Sequence, residues 1–254
     1  MNVSLRPSRG LARIGVIVPV SNTNLEPDMT LLAPAGVSIH VARAGGYDVD
    51  EIPDGAQMRQ YSDVPIDDVT ERLRHCRPDV VLYGCTSATL AQGADFDAEF
   101  RRTISAQTGA PAITAASALV EALRGLGVQR FALSSPYVAT LNDLAIGYIE
   151  GFGFRCVGRA DVPEPLGNDA VGALRPDTVA ALARRADCAD AECIVLSCTD
   201  FRAVEAVEEI EAHLGKPVIT SNQAMMLAAL RQLDLLLGDS PLRRHRLTRH
   251  LMAA

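Results

Sequence analysis

Two stretches of this chain carry the same pattern, and that repeat restricts the fold more than any other feature. Residues 79–90 read DVVLYGCTSATL and residues 192–201 read ECIVLSCTDF. Each is an acidic residue, an apolar run, a small residue and then Cys-Thr. An apolar run that stops at a small polar turn reads as a fully buried parallel strand opening into a loop at its C-terminal end. In open α/β sheets that end is where ligands bind. Two more landmarks recur in the same order. Residues 13–20 (RIGVIVPV) and 130–137 (RFALSSPY) each join a basic residue, an apolar run and Pro. Residues 109–119 (GAPAITAASAL) and 215–225 (GKPVITSNQAM) share Gly-x-Pro, a β-branched run and small polar residues before a helical stretch. A period of about 110 residues is far too long for a solenoid and points to one duplicated α/β unit.

Strands alternate with helices in both copies, which predicts parallel sheets covered on both faces. The expected fold is α/β, with two pseudosymmetric doubly wound parallel-sheet half-domains facing across a central cleft. Residues 1–115 plus 222–254 form the first half and residues 116–221 the second. Strands are predicted at 14–19, 36–42, 79–84, 112–114, 130–133, 154–158, 193–196 and 218–220. Helices are predicted from Leu25 onward, at 64–75, 99–107, 117–126, within 136–148, and at 178–186, 203–213 and 223–237. The polar segments 45–63 and 161–170 read as loops, the first as a lid or substrate-facing segment. The basic stretch 241–250 (PLRRHRLTRH) reads as a solvated helix end.

Composition removes several function classes. The 254 residues carry a net charge of −7, which argues against nucleic acid or an anionic membrane as partner. No run of about 18 apolar residues exists, so no membrane span is expected. The first residues lack the apolar core of a signal peptide, so a cytoplasmic location with reduced cysteines is expected. Of the six cysteines, Cys76, Cys156, Cys188 and Cys193 stand in apolar or helical contexts and read as buried, inert thiols. Their spacing lacks C-x₂-C pairs and the histidines are scattered, so no metal site is expected. No G-x-G-x-x-G fingerprint calls for a nucleotide, and no cofactor is expected. An acidic α/β enzyme of this size is expected to be a homodimer.

That leaves Cys85 and Cys198, at equivalent points of the two units. If the halves face each other, two thiols flank one substrate. A cysteine at a helix N-terminus feels unpaired backbone N–H groups, which predicts a lowered pKa for Cys85. The same N–H groups bind carboxylates. Thr86 and Thr199 follow the cysteines, and each hydroxyl can bond a ligand or cap the next helix. Paired thiols suit a proton donor and acceptor, or a nucleophile and an acid, on opposite faces of a carbon.

The motifs at 18–26 (VPVSNTNLE), 84–89 (GCTSAT), 134–142 (SSPYVATLN), Gly167-Asn168 and 196–199 (LSCT), in this order, resemble the aspartate/glutamate racemase superfamily and, within it, the maleate cis-trans isomerase branch. The resemblance runs from about residue 13 to 225. It implies a cofactor-independent enzyme acting on a small dicarboxylate, with Cys85 as nucleophile and Cys198 as its acid partner. It further implies that Asn22 holds a substrate carboxylate and that Tyr137 and Asn168 belong to the site. Related arylmalonate decarboxylases keep only the second-half cysteine, so the presence of Cys85 argues against that activity. Glutamate racemases typically carry His after the second Cys-Thr, where this chain has Asp200. Val20 stands where the branch often has Ser, and no role is carried over to it. A two-cysteine amino-acid or hydroxy-acid racemase is the alternative within the superfamily, and a non-catalytic small-anion binder the alternative outside it. In the isomerase reading a thiolate adds to one alkene carbon, charge spreads into the adjacent carboxylate, the central bond rotates, and thiolate leaves.

Overall fold

The computed structural model describes residues 10–45 and 66–253. The lid expected at 45–63 lies, beyond Gly45, outside the described residues. The first half contains β1 (Ala12–Pro19), α1 (Leu25–Leu32), β2 (Val37–Ala44), α2 (Asp67–His75), β3 (Val80–Tyr83), α3 (Thr86–Leu90), α4 (Ala94–Thr108) and β4 (Ala112–Thr114), and α5 (Ala115–Leu126) then leads on, touching both β4 and the last strand of the second sheet. The second half contains β5 (Arg130–Ser134), α6 (Ala139–Glu150), β6 (Arg155–Ala160), α7 (Asn168–Gly172), α8 (Pro176–Ala186), β7 (Cys193–Leu196), α9 (Val207–Leu214) and β8 (Val218–Thr220). The chain closes with α10 (Ser221–Gln232) and α11 (Arg246–Ala253).

All strand pairs are parallel, and the two sheets have the same order, β2-β1-β3-β4 and β6-β5-β7-β8. The duplication repeats bond by bond. Asp79 accepts the backbone N–H of Arg13 at 2.7 Å, and Glu192 accepts that of Arg130 at 2.7 Å. The acidic residue that opens each Cys-Thr strand thus pins the start of the neighbouring strand. At the far end, Gly84 N–H donates to Ile17 O and Ser197 N–H to Ser134 O, both at 2.9 Å. Cys85 and Cys198 therefore follow equivalent rungs.

Thr114 and Thr220 end matching strands and cap α5 and α10, each accepting the N–H three residues on (3.1 and 3.0 Å). This capping-box geometry satisfies two end groups reciprocally. Helices α5 and α10 pack on each other, and α10 also touches β3, β4 and β8. Side chains from both sheets and both helices, among them Val18, Leu82, Leu119, Leu133, Val195 and Met225, form one continuous core. In each sheet the strand order reverses between its first strand and its third (β1/β3 and β5/β7). That switch point opens a crevice at the strand C-termini.

Several expectations are corrected. The helix expected to start after Cys85 is present as the five-residue α3, and another five-residue helix, α7, begins inside the segment 161–170 read as a loop. Helix α4 starts at Ala94, directly after Gly93 at φ 90°, rather than at Glu99. Helix α10 stops at Gln232 instead of 237, because Asp234 takes φ 52° and Leu235 N–H folds back to Leu230 O at 2.8 Å. The basic tail is not a solvated end, since Leu242, His245 and Leu247 are buried and α11 packs on α5. Of the four cysteines read as buried, Cys193 is buried, Cys156 and Cys188 are half-buried and Cys76 is exposed. No helix among the described residues is long and apolar enough to cross a membrane.

Candidate active site

Four loops meet at the two switch points, and each brings a residue singled out in the sequence. After β1 the chain turns through residues 20–24. Arg43, at the end of β2, donates to Val20 O at 3.0 Å and Asn22 O at 2.9 Å and pairs with Glu26. Asn22 Oδ1 accepts the N–H groups of Asn24 (3.1 Å) and Leu25 (2.9 Å), opening α1. Its Nδ2 donates across the cleft to Thr199 Oγ1 at 2.9 Å. Asn22 is therefore a helix cap and a link between halves, with a second amide hydrogen remaining on Nδ2.

Gly84 precedes Cys85 for a steric reason. A Cβ there would stand 2.0 Å from Leu25 Cδ2 and 3.2 Å from Ile17 O. Only glycine lets α1 lie this close to the end of β3. Cys85 is the N-cap of α3 and is half-buried, with Sγ 3.9 Å from Ser87 Oγ and also facing the Ala88 N–H. Cys198 is buried in the turn after β7. The Tyr137 hydroxyl faces both Cys198 and Ser87, and it feels the charge state of both cysteines. Cys85 and Cys198 also sense each other directly. The two thiols thus belong to one site, joined through Ser87 and Tyr137.

Burial dominates the electrostatics. It pushes the Cys85 thiol up, against the opposing pull of the Ala88 N–H and the Ser87 hydroxyl. It pushes Cys198 up to about 12, with the Asp200 charge adding to burial and the Tyr137 hydroxyl opposing it. Tyr137 is also raised, by burial first and then by Cys198. The lowered pKa expected for Cys85 is corrected. A five-residue helix offers little dipole, and desolvation of the thiolate outweighs it. Cys198 does not start a helix at all, since a turn and a short 3₁₀ segment separate it from α9.

The two threonines stitch the halves together. Thr86 Oγ1 donates to Ser221 Oγ at 3.2 Å, and Thr199 Oγ1 donates to Gly84 O at 2.7 Å while accepting from Asn22. Their hydroxyl hydrogens are committed to protein acceptors. Tyr137 sits on a rigid turn, because Ser135 Oγ accepts its N–H at 3.0 Å and Asn142 Nδ2 donates to its carbonyl at 3.2 Å. Asn168 is the first residue of α7 and is half-buried. Gly172, at the other end of α7, accepts Asn24 Nδ2 at 3.1 Å, which fastens this helix to the Asn22 loop.

Three residues escaped the sequence reading. Ser87 stood inside the quoted GCTSAT, and Asn222 inside GKPVITSNQAM. Asn222 Nδ2 donates to Thr199 O at 3.0 Å and to Asp28 Oδ2 at 2.7 Å. Asp28 is pushed up to about 7 by burial. Asp200 registered only as a departure from racemases, and it is the carboxylate that receives the Thr23 and Asn24 N–H groups. Among the described residues, no group of three or more His, Cys, Asp or Glu side chains is arranged to hold a metal ion.

A site of this form can add sulfur to an electron-poor carbon on one side and move a proton on the other. Comparison with known proteins points to a family. Residues 14–240 match the family model described as arylmalonate decarboxylase. A maleate isomerase from Pseudomonas putida is 31% identical over 235 residues, covering 89% of this chain and 93% of that protein. The structure of the Nocardia farcinica maleate cis-trans isomerase bound to TRIS superposes with a TM-score of 0.85 at 28% identity, covering 96% of this chain and 100% of that one. A cysteine-to-serine mutant of the Nocardia farcinica enzyme, with a covalently bound succinylcysteine intermediate, superposes with a TM-score of 0.81 at 28% identity, covering 89% and 94%. With that match over most of its length, the chain belongs to the arylmalonate decarboxylase family, alongside the maleate isomerases it resembles.

Proposed function

We propose that this protein is a cofactor-independent cis-trans isomerase that converts maleate, or a similar small cis-dicarboxylate, to the trans isomer through a covalent adduct at Cys85. The observation that carries the reading is the pair of thiols at equivalent strand ends, joined by hydroxyls in one buried site. A relative of the same fold holds a succinylcysteine intermediate. A succinyl group has a saturated central bond, so one alkene carbon has gained sulfur and the other hydrogen.

The residues allow that addition with every proton accounted for. Cys85 Sγ bonds one alkene carbon, and the π pair moves to the other carbon and into its carboxylate. Asn22, Asn168 and the backbone N–H groups of the Thr86 and Thr199 turns are the donors for the two carboxylates and this developing charge. Cys198 gives its proton to the second carbon. The Cys85 proton passes to Ser87, the Ser87 proton to Tyr137, and the Tyr137 proton to Cys198. Ser87 lies beside Cys85, with either atom able to donate, and the Ser87 hydroxyl faces Tyr137, whose own hydroxyl faces Cys198. The central bond, now single, rotates. The relay then runs in reverse: Cys198 passes its proton to Tyr137 as it takes the one from carbon, Tyr137 passes its own to Ser87 and Ser87 passes its own to the departing Cys85 sulfur, so the C–S bond breaks, the trans alkene leaves and both thiols are restored.

The racemase alternative uses the same thiols but is not favoured, since the similar relatives are maleate isomerases. The decisive experiment follows maleate and fumarate by proton NMR with wild type and Cys85→Ala. Fumarate forming with wild type, and at less than about a tenth of that rate with Cys85→Ala, supports the reading; a tenth is only about 1.4 kcal/mol of barrier. A wild-type protein that leaves maleate unchanged, or that racemises an amino or hydroxy acid instead, refutes it. We also propose that it works in the cytoplasm as a homodimer, which gel filtration with light scattering tests for assembly.

A further inference from the structure

Asp200 does more than occupy the place where a racemase has histidine. Its Oδ1 accepts three hydrogen bonds from the opposite half: Thr23 N–H at 2.9 Å, Asn24 N–H at 3.0 Å and Asn24 Nδ2 at 3.0 Å. Asn24 Nδ2 is also 2.9 Å from the Asp200 carbonyl oxygen and 3.1 Å from Gly172 O. The neighbourhood leaves no slack. A Cβ on Gly172 would stand 3.0 Å from Thr23 Oγ1 and 3.2 Å from Asp200 Oδ2. Two consecutive backbone N–H groups just ahead of α1 thus bind a carboxylate in the way such helix starts bind anions, but the anion belongs to the protein's other half. Asp200 is two residues from Cys198, and Thr23 and Asn24 directly follow Asn22.

We propose that Asp200 is a positioning residue for the isomerisation, a latch that fastens the Asn22 loop and the end of α7 to the Cys198 turn. The inference rests on the isomerase reading for its kinetic arm only. The latch has two separable parts. Its hydrogen bonds fix where Asn22 sits, and an asparagine at this position reproduces them, with the amide oxygen in the Oδ1 place and the amide nitrogen toward the Thr23 hydroxyl. Its negative charge biases Cys198 toward the thiol, the form that can give a proton to carbon. The titratable groups facing Cys198 are Asp200, Tyr137 and Cys85, and Asp28, close to Asp200, faces Glu205 and Arg202 as well.

The test compares wild type, Asp200→Ala and Asp200→Asn, each first shown by circular dichroism to be folded. With maleate, Asp200→Ala is expected to raise KM about tenfold or more and lower kcat, and Asp200→Asn to rescue most of the KM. Peptide-resolved iodoacetamide labelling at pH 9 reads the second part without substrate. Losing the like charge lowers the Cys198 pKa, so Cys198 in Asp200→Asn should label several-fold faster than in wild type. A folded Asp200→Ala with KM and kcat within about twofold of wild type overturns the latch, and so does an Asp200→Asn as impaired in KM as the alanine variant. Unchanged Cys198 labelling in Asp200→Asn overturns the electrostatic part, and this comparison decides even if Asp200→Ala fails to fold. If wild type does not isomerise maleate, the functional reading falls while the labelling comparison still judges the role of Asp200.

Discussion

Thr199→Val is the perturbation that most directly probes how the halves are joined at the site. Valine keeps the shape but removes a hydroxyl that donates to Gly84 O at 2.7 Å and accepts from Asn22 Nδ2 at 2.9 Å. The residue is buried, so neither former partner gains water in exchange. A buried polar group stripped of its partner costs about 1–3 kcal/mol. Two such groups, partly relaxed, give a loss of about 3 kcal/mol. For a chain of this size, that lowers Tm by about 6–12 °C. The same change frees Asn22 on one side and the Gly84–Cys85 turn on the other, so kcat/KM should fall about 10–100-fold. Thr199→Ser, which restores the hydroxyl without the methyl, should recover most of both losses. Calorimetry and the maleate NMR assay measure the two effects. A Thr199→Val protein that melts within about 2 °C of wild type with unchanged kcat/KM would refute the reasoning, because the hydroxyl would then be joining nothing of consequence.

Gly84→Ala places a methyl against Leu25 and forces α1 away from the strand end, so it should cost about 1–3 kcal/mol in chemical denaturation and impair activity; a neutral result would mean that α1 has room to move. Asp28 has a folded pKa raised from 3.8 to about 7, so its contribution is fully present below about pH 4 and is lost as pH rises through 7. Asp28→Asn should therefore match wild type near pH 4 and be more stable by about 3–4 kcal/mol at pH 8, and equal stability at pH 8 would contradict the buried-charge argument. Both site thiols are raised, so neither ionises below pH 8 and the relay keeps kcat/KM flat from about pH 6 to 8, measured in the Asp28→Asn background to remove that titration. Ser87→Ala breaks the relay, so the reaction then waits on free Cys85 thiolate and kcat/KM should climb about tenfold per pH unit; an unchanged flat profile excludes Ser87 from the proton path.

Much of this architecture is written in local patterns. The central strands β3 and β7 are buried on both faces, so they read as continuous apolar runs, and the acidic residue before each marks the same rung. Pairing Cys85 with Cys198 needed only that duplication. What escaped detection depends on contacts between halves. A five-residue helix such as α7 carries no periodicity to detect. The leucines at 235–237 continue a helical pattern, and only the left-handed Asp234 ends it. The lowered pKa failed as an expectation for Cys85 because burial, which a local pattern does not show, outweighs the helix start. Thr86 and Thr199 look like ligand hydroxyls in sequence, yet their hydrogens are taken by Ser221 and Gly84. Asp200 is visible only as an unexpected residue until the structure brings Thr23 and Asn24 to it.

The covalent role of Cys85 is open to one direct measurement. Cys198→Ser keeps a polar group at the second position but weakens proton return, so an adduct should accumulate. The variant is incubated with maleate, digested and mapped by mass spectrometry. The expected result is a gain of one maleic acid on the peptide carrying Cys85 and on no other cysteine peptide, including that of the exposed Cys76. An adduct on a different cysteine, or no adduct while wild type turns maleate into fumarate, would contradict nucleophilic attack by Cys85.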